Sequence, residues 1–131
     1  MHRTLIACLL ACLGSVPAHA ADDVPGKETY VRYCGACHGP DGKGDGIAGT
    51  FMRPKPTDLT QIAKNNKGEF SFMRVMQSID GRATVRAHGD PQMPVWGEVF
   101  TTEANSPTSR QTEVRGKVMA ITDYIRSIQE K

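Results

Sequence analysis

Cys34-Gly-Ala-Cys37-His38 sets two thiols three positions apart, with an imidazole directly after the second. At a helix end this spacing lets each thiol add to one vinyl group of a haem, giving two thioether bonds. The histidine then lies under the porphyrin and can bind its iron. A shorter or longer spacing would misalign thiols and vinyls. Two other chemistries compete for these residues. A structural zinc site needs four ligands, and beyond residue 20 the chain offers only Cys34, Cys37, His38 and His88. A Cys34–Cys37 disulfide or redox dithiol belongs in a βαβ setting, and no alternating strand pattern of useful length occurs. The expectation is one covalently held haem c, with Cys34, Cys37 and His38 binding it.

The second axial position needs a donor from elsewhere. Met52, Met73, Met76, Met93 and Met119 follow the motif in the sequence. Met73 and Met76 fall on an amphipathic helical stretch, where one of them serves as core. Met119 falls inside the last helix, and Met52 in an early loop. Met93 lies in a loop with Pro91 and Pro94 on either side, and a loop can present a thioether to the face opposite His38. His38 and Met93 are therefore the expected iron ligands. His88 is the runner-up. It reads otherwise as a loop histidine, and bis-histidine ligation would lower the reduction potential.

The elements that must position these groups are few. Residues 25–36 form the first helix, with Pro25 near its first turn and Tyr30, Val31 and Cys34 along one side. Residues 39–60 are rich in Gly and Pro and read as loop. Residues 68–81 read as a helix with Phe72, Val75, Met76 and Ile79 at helical spacing and Gly81 as its stop. Residues 83–97 read as loop and 101–112 as a polar, exposed insertion. Residues 113–128 form the last helix, with Val114, Val118, Ile121, Ile125 and Ile128 on one side. Three main helices joined by long loops make an all-α domain. Such loops fit a compact domain when they wrap a rigid apolar group.

The first twenty residues read as a leader. His2 and Arg3 precede the apolar run Leu5–Leu13, and Ala18-His19-Ala20 supplies a small-x-small cleavage pattern. The run is about half the length a membrane span requires. Cys8 and Cys12 loosely match lipoprotein boxes, but the apolar run continues past both, so a lipid-anchored form is not expected. Cleavage after Ala20 leaves residues 21–131 as one exported, periplasmic domain. Removing Arg3 takes the formal net charge from +2 to +1. That is no footprint for nucleic acid, and no later stretch would span a membrane.

The chain resembles the monohaem class I cytochromes c of bacteria over about residues 25–128. The resemblance rests on Gly26 and Tyr30, on Cys34-x-x-Cys37-His38-Gly39, on Met93-Pro94-x-Trp96-Gly97, and on Ile121-x-x-Tyr124-Ile125. It implies the class I cytochrome c fold, in which the small Gly26 lets the first and last helices cross, sealed by Tyr30, Ile121 and Tyr124. It also implies that a carbonyl at Pro54 or Pro56 accepts from Nδ1 of His38. Trp96 is a candidate donor to a haem propionate, with plain packing as the other reading, and Arg82 and Arg86 are candidate propionate partners. With both axial positions filled, the implied role is electron transfer between redox proteins by a monomeric carrier cycling Fe(III)/Fe(II), not an enzyme. The exposed haem edge near Cys37 and the Met93 loop would serve for docking. Two alternatives are a haem-bearing subunit of a larger dehydrogenase or oxidase complex, and a peroxidase or gas binder with an open iron site.

Overall fold

Six α-helices and two 3₁₀ turns build the described residues, 24–81 and 93–130 of a computed structural model, and no strand occurs among them. In order they are α1 (Lys27–Tyr33), α2 (Gly35–His38), the turns Ala48–Phe51 and Leu59–Gln61, α3 (Ile62–Asn65), α4 (Phe72–Asp80), α5 (Trp96–Glu103) and α6 (Arg110–Ser127). The expected leader, its cleavage site, Cys8, Cys12, Arg82, Arg86, His88 and Pro91 lie outside the described residues.

The long helix α6 organises the core. Val114, Val118, Ile121 and Ile125 recur at intervals of four, three and four, so they share one face, and none is more than 6% exposed. Fully burying a side chain of this size contributes about 1.5–3 kcal/mol. Against this face pack α1, α4 and α5. Gly26 permits the approach of α1. Its φ is +89°, and a Cβ there would stand 1.9 Å from the carbonyl oxygen of Ala120 on α6. Beside it Tyr30 and Tyr124 meet at 4.8 Å between ring centroids, and Ile121 is fully buried. The helix crossing expected from Gly26, Tyr30, Ile121 and Tyr124 is the one observed.

The tyrosine hydroxyls of this crossing reach the loop after the cysteine motif. Tyr30 donates to Gly39 O at 2.9 Å, and Tyr124 donates to Pro40 O at 3.1 Å. Gly39 is buried, and a buried carbonyl needs such a donor. Burial raises the pKa of both hydroxyls, most at Tyr30, so both remain protonated donors.

Three elements differ from the sequence reading. The first helix breaks at Cys34, giving α1 and the single turn α2 in place of one helix over 25–36. The second helix, α4, starts only at Phe72. The third difference is α5, which occupies residues expected to be loop and insertion. Trp96 and Phe100, four apart, turn one face inward against Tyr33. Thr101 and Thr102 satisfy their hydroxyls within the helix, donating to Gly97 O at 2.6 Å and Val99 O at 2.7 Å. Helix α6 also begins at Arg110, so the polar stretch shrinks to a short connection.

Candidate functional site

Cys34 sits at the break between α1 and α2 and is buried; Cys37 is half-buried and His38 is 8% exposed. The tight turn holds the three together, with His38 N donating to Cys34 O at 2.9 Å. Both thiols are free. Burial, and then the neighbouring Cys37, push the Cys34 thiol up to about 12. Among the described residues no three or more of His, Cys, Asp and Glu come together as a metal cluster.

The ring of His38 is oriented by the loop beyond it. Nδ1 lies 3.0 Å from Thr57 O. A carbonyl only accepts, so Nδ1 carries the proton and Nε2 keeps its lone pair. Burial lowers the pKa of His38, against the opposing effect of the Thr57 bond, and the ring is neutral at neutral pH, as a metal ligand must be. The accepting carbonyl belongs to Thr57, and to neither Pro54 nor Pro56. The backbone here is set by Asp58, whose Oδ1 accepts from Thr60 N at 2.9 Å and from Thr60 Oγ1 at 2.6 Å. That Asx turn opens the Leu59–Gln61 turn and aims the preceding carbonyl inward.

A cleft of about 300 Å³ opens beside these residues, and a smaller recess of about 60 Å³ adjoins it. Cys34, His38, Thr57 and Met93 line both. Cys37 and Trp96 line the recess alone. Met93 is half-buried, whereas Met76 is core at 8% exposure and Met73 lies at the surface. Met52 lines the recess as well. The structure thus brings together all five residues singled out in the sequence: Cys34, Cys37, His38, Met93 and Trp96.

Trp96 packs on neighbours. Its ring meets Tyr33 at 5.6 Å and Phe100 at 5.7 Å between centroids. Tyr33 in turn donates to Glu103 at 2.7 Å, and Lys117 Nζ reaches the same carboxylate at 3.2 Å. Those two partners, the hydroxyl first, hold the Glu103 carboxyl below its ordinary value. The residue before Cys34 is therefore tied to α5, three residues downstream of Met93.

Other contributors were not singled out in the sequence. Helix α4 turns Val75, Ile79, Arg74 and Ser78 to the larger cleft. Arg74 is exposed at its rim, and its guanidinium makes no hydrogen bond or ion pair among the described residues. A polar stripe at positions 71, 74 and 78 was the available signal. Gln129 gave none: it donates to Leu59 O at 2.7 Å and accepts from Ala63 N at 2.8 Å, stapling the chain end to the cleft wall.

The family model described as cytochrome c oxidase, cbb3-type, subunit III, matches residues 21–105. The chain belongs to this family. No curated protein and no solved structure matches it. A cytochrome c domain works by haem-based electron transfer, and the residues of this one fit the group. The cleft offers apolar walls, a neutral imidazole with its Nδ1 already committed, two unpaired thiols and a thioether. The matched residues end before α6, so the helix that contributes more of the core than any other lies beyond them. No helix among the described residues is long and apolar enough to cross a membrane.

Proposed function

We propose that this cytochrome carries single electrons outside the cytoplasm with one haem c, joined covalently to Cys34 and Cys37 and held axially by His38 and Met93. The observation that carries the reading is that Cys34, His38 and Met93 line one cleft, with Cys37 in the recess that adjoins it. When bound, the haem supplies reversible one-electron exchange between ferric and ferrous iron. The chain's own part is to hold geometry. Thr57 O fixes the tautomer and plane of His38, and the Tyr33–Trp96–Phe100 cluster anchors the segment that follows Met93. Two protein ligands leave no iron position for oxygen or peroxide, which separates this reading from a peroxidase.

Arg74 would hold a haem propionate. A haem carries its vinyl groups and its propionates on opposite edges. Arg74 and Ser78 line the larger cleft and not the recess. Arg74 offers a planar cation, without an ion pair among the described residues, for a carboxylate. Trp96 lines the recess and not the larger cleft that Arg74 lines, and its ring packs on Tyr33 and Phe100, so plain packing is the role we assign it.

Residues 1–20 act as a cleaved export leader in this reading, leaving 21–131 as the functional domain in the periplasm. The family description favours a second assignment at the level of assembly, as a haem-bearing subunit of an oxidase complex. Purification from the native source separates the two: a subunit co-elutes with partner chains, and a carrier elutes alone as a monomer. The ligand set is tested by the absorption spectrum of the holoprotein. Wild type is expected to be low-spin, with the weak far-red band of thioether-ligated ferric haem, and Met93→Ala to lose that band. A spectrum unchanged in Met93→Ala would overturn the assignment.

A further inference from the structure

The turn that follows the Thr57 carbonyl is gripped by the end of the chain. Gln129, one residue past the C-cap of α6, commits its whole side-chain amide to backbone groups. Nε2 donates to Leu59 O at 2.7 Å and to Ile125 O at 2.8 Å, and Oε1 accepts from Ala63 N at 2.8 Å. Glu130 adds a second tie. Its N donates to Thr60 O at 2.9 Å, and its Oε2 accepts from Gln61 Nε2 at 2.7 Å. Leu59 N in turn donates to Gly42 O at 2.7 Å, in the loop that follows His38. Leu59 is thus fixed at both of its backbone groups, two residues beyond the carbonyl that meets Nδ1 of His38.

Helix capping accounts for only part of this. The bond to Ile125 O satisfies the end of α6, whereas the bonds to Leu59 O and Ala63 N join residues 70 and 66 apart in sequence. Meeting two carbonyls and one N–H at once takes a side-chain amide, which alone among neutral groups has two donor hydrogens and an acceptor. We propose that Gln129, with Glu130 beside it, is a positioning residue for the axial histidine. It holds the Leu59 turn so that Thr57 O keeps its bond to Nδ1 of His38, and thereby sets the midpoint potential. The proposal rests on the haem assignment above. A firm bond from Nδ1–H makes the imidazole a stronger electron donor, and stronger donation favours ferric over ferrous iron. A slackened turn lengthens that bond, weakens donation and raises the potential.

Two neutral replacements test this without altering charge. Gln129→Met keeps the length of the side chain and removes every bond of the amide. Gln129→Asn keeps the amide but is one methylene shorter, so it no longer spans Leu59 O and Ala63 N together. Voltammetry of each holoprotein should show a raised midpoint, by up to about 59 mV, the one-electron equivalent of a tenfold change. Proton magnetic resonance of the ferrous holoprotein should show the Nδ1 proton of His38 moved upfield, as a weaker hydrogen bond requires. Val118→Ala removes fully buried methyl groups from the same helix. It should lower stability and leave both the midpoint and the His38 proton at their wild-type values. A wild-type midpoint in whichever Gln129 variant assembles the holoprotein overturns the positioning role and leaves the haem assignment intact. An equal rise in Val118→Ala, or a raised midpoint with the His38 proton unmoved, does the same. Loss of haem from both Gln129 variants would make the residue a folding element and overturn the role as well. A wild type without any redox wave would overturn the haem assignment, and the positioning role with it.

Discussion

Replacing Gly26 by alanine tests the helix crossing on which the site is mounted, and Gly68 supplies an internal control. Both glycines have φ of +89°, so alanine meets the same backbone penalty at each, about 1–2 kcal/mol. They differ in surroundings: a Cβ on Gly68 meets nothing within 4 Å, whereas on Gly26 it stands 1.9 Å from Ala120 O and 2.4 Å from Ala120 C. Those are backbone atoms of α6 and cannot swing aside, so α1 must shift, at a further cost of about 1–3 kcal/mol for overpacking. Gly26→Ala should therefore lose about 2–5 kcal/mol in total and Gly68→Ala only about 1–2 kcal/mol. With a urea slope of about 1.5 kcal/mol per molar, the Gly26→Ala midpoint falls by roughly 1–3 M. The assay is urea denaturation of the holoprotein followed by far-ultraviolet circular dichroism. Equal midpoints for the two variants, with unchanged slopes, would refute the claim that close helix approach, and not turn conformation, demands glycine at position 26.

Arg74→Gln should raise the pKa of a haem propionate by about one unit or more. A titration of midpoint potential against pH reads this as a shift of its inflection to higher pH. Lys27→Gln removes an exposed cation that lines neither the cleft nor the recess and should leave the curve in place; coincident curves for Arg74→Gln and wild type would refute the seat. The other titratable side chains lining the larger cleft are Cys34 and His38, and the recess adds Tyr33, Cys37 and Lys55. For Glu103, the folded carboxyl titrates below its ordinary value of 4.5, so its tie to Tyr33 and Lys117 is fully present above that pH and is lost as pH falls through the lower folded value. Thermal midpoints of Glu103→Gln measured against pH should accordingly decline less steeply over that acid window, and parallel declines would contradict the tie.

The sequence displayed the site better than it displayed the scaffold around it. Cys34, Cys37 and His38 are legible because residue type and spacing alone mark the motif, and the structure sets all three at one turn beside the cleft. Met93 is legible because its flanking prolines mark a loop. The crossing helices are legible from Gly26 and from the regular recurrence of Val114, Val118, Ile121 and Ile125. Helix α5 was hidden because Thr101 and Thr102 lower helix propensity, while its apolar face depends on Tyr33, distant in sequence. The carbonyl that orients His38 is that of Thr57 and not of Pro54 or Pro56, because register in that loop is set by the Asp58 turn. Arg74 was passed over because a lone arginine on an amphipathic helix ordinarily faces water, and only the shared cleft gives it a role.

The account's central claim is that two thioether bonds fix a single haem to this chain. Intact-mass spectrometry of the denatured protein, after expression in a host that attaches haem to exported proteins, tests it most directly. The account predicts the mass of residues 21–131 plus one haem, with colour that acidified organic solvent does not extract. A bare polypeptide mass, or haem that leaves with the solvent, would contradict it.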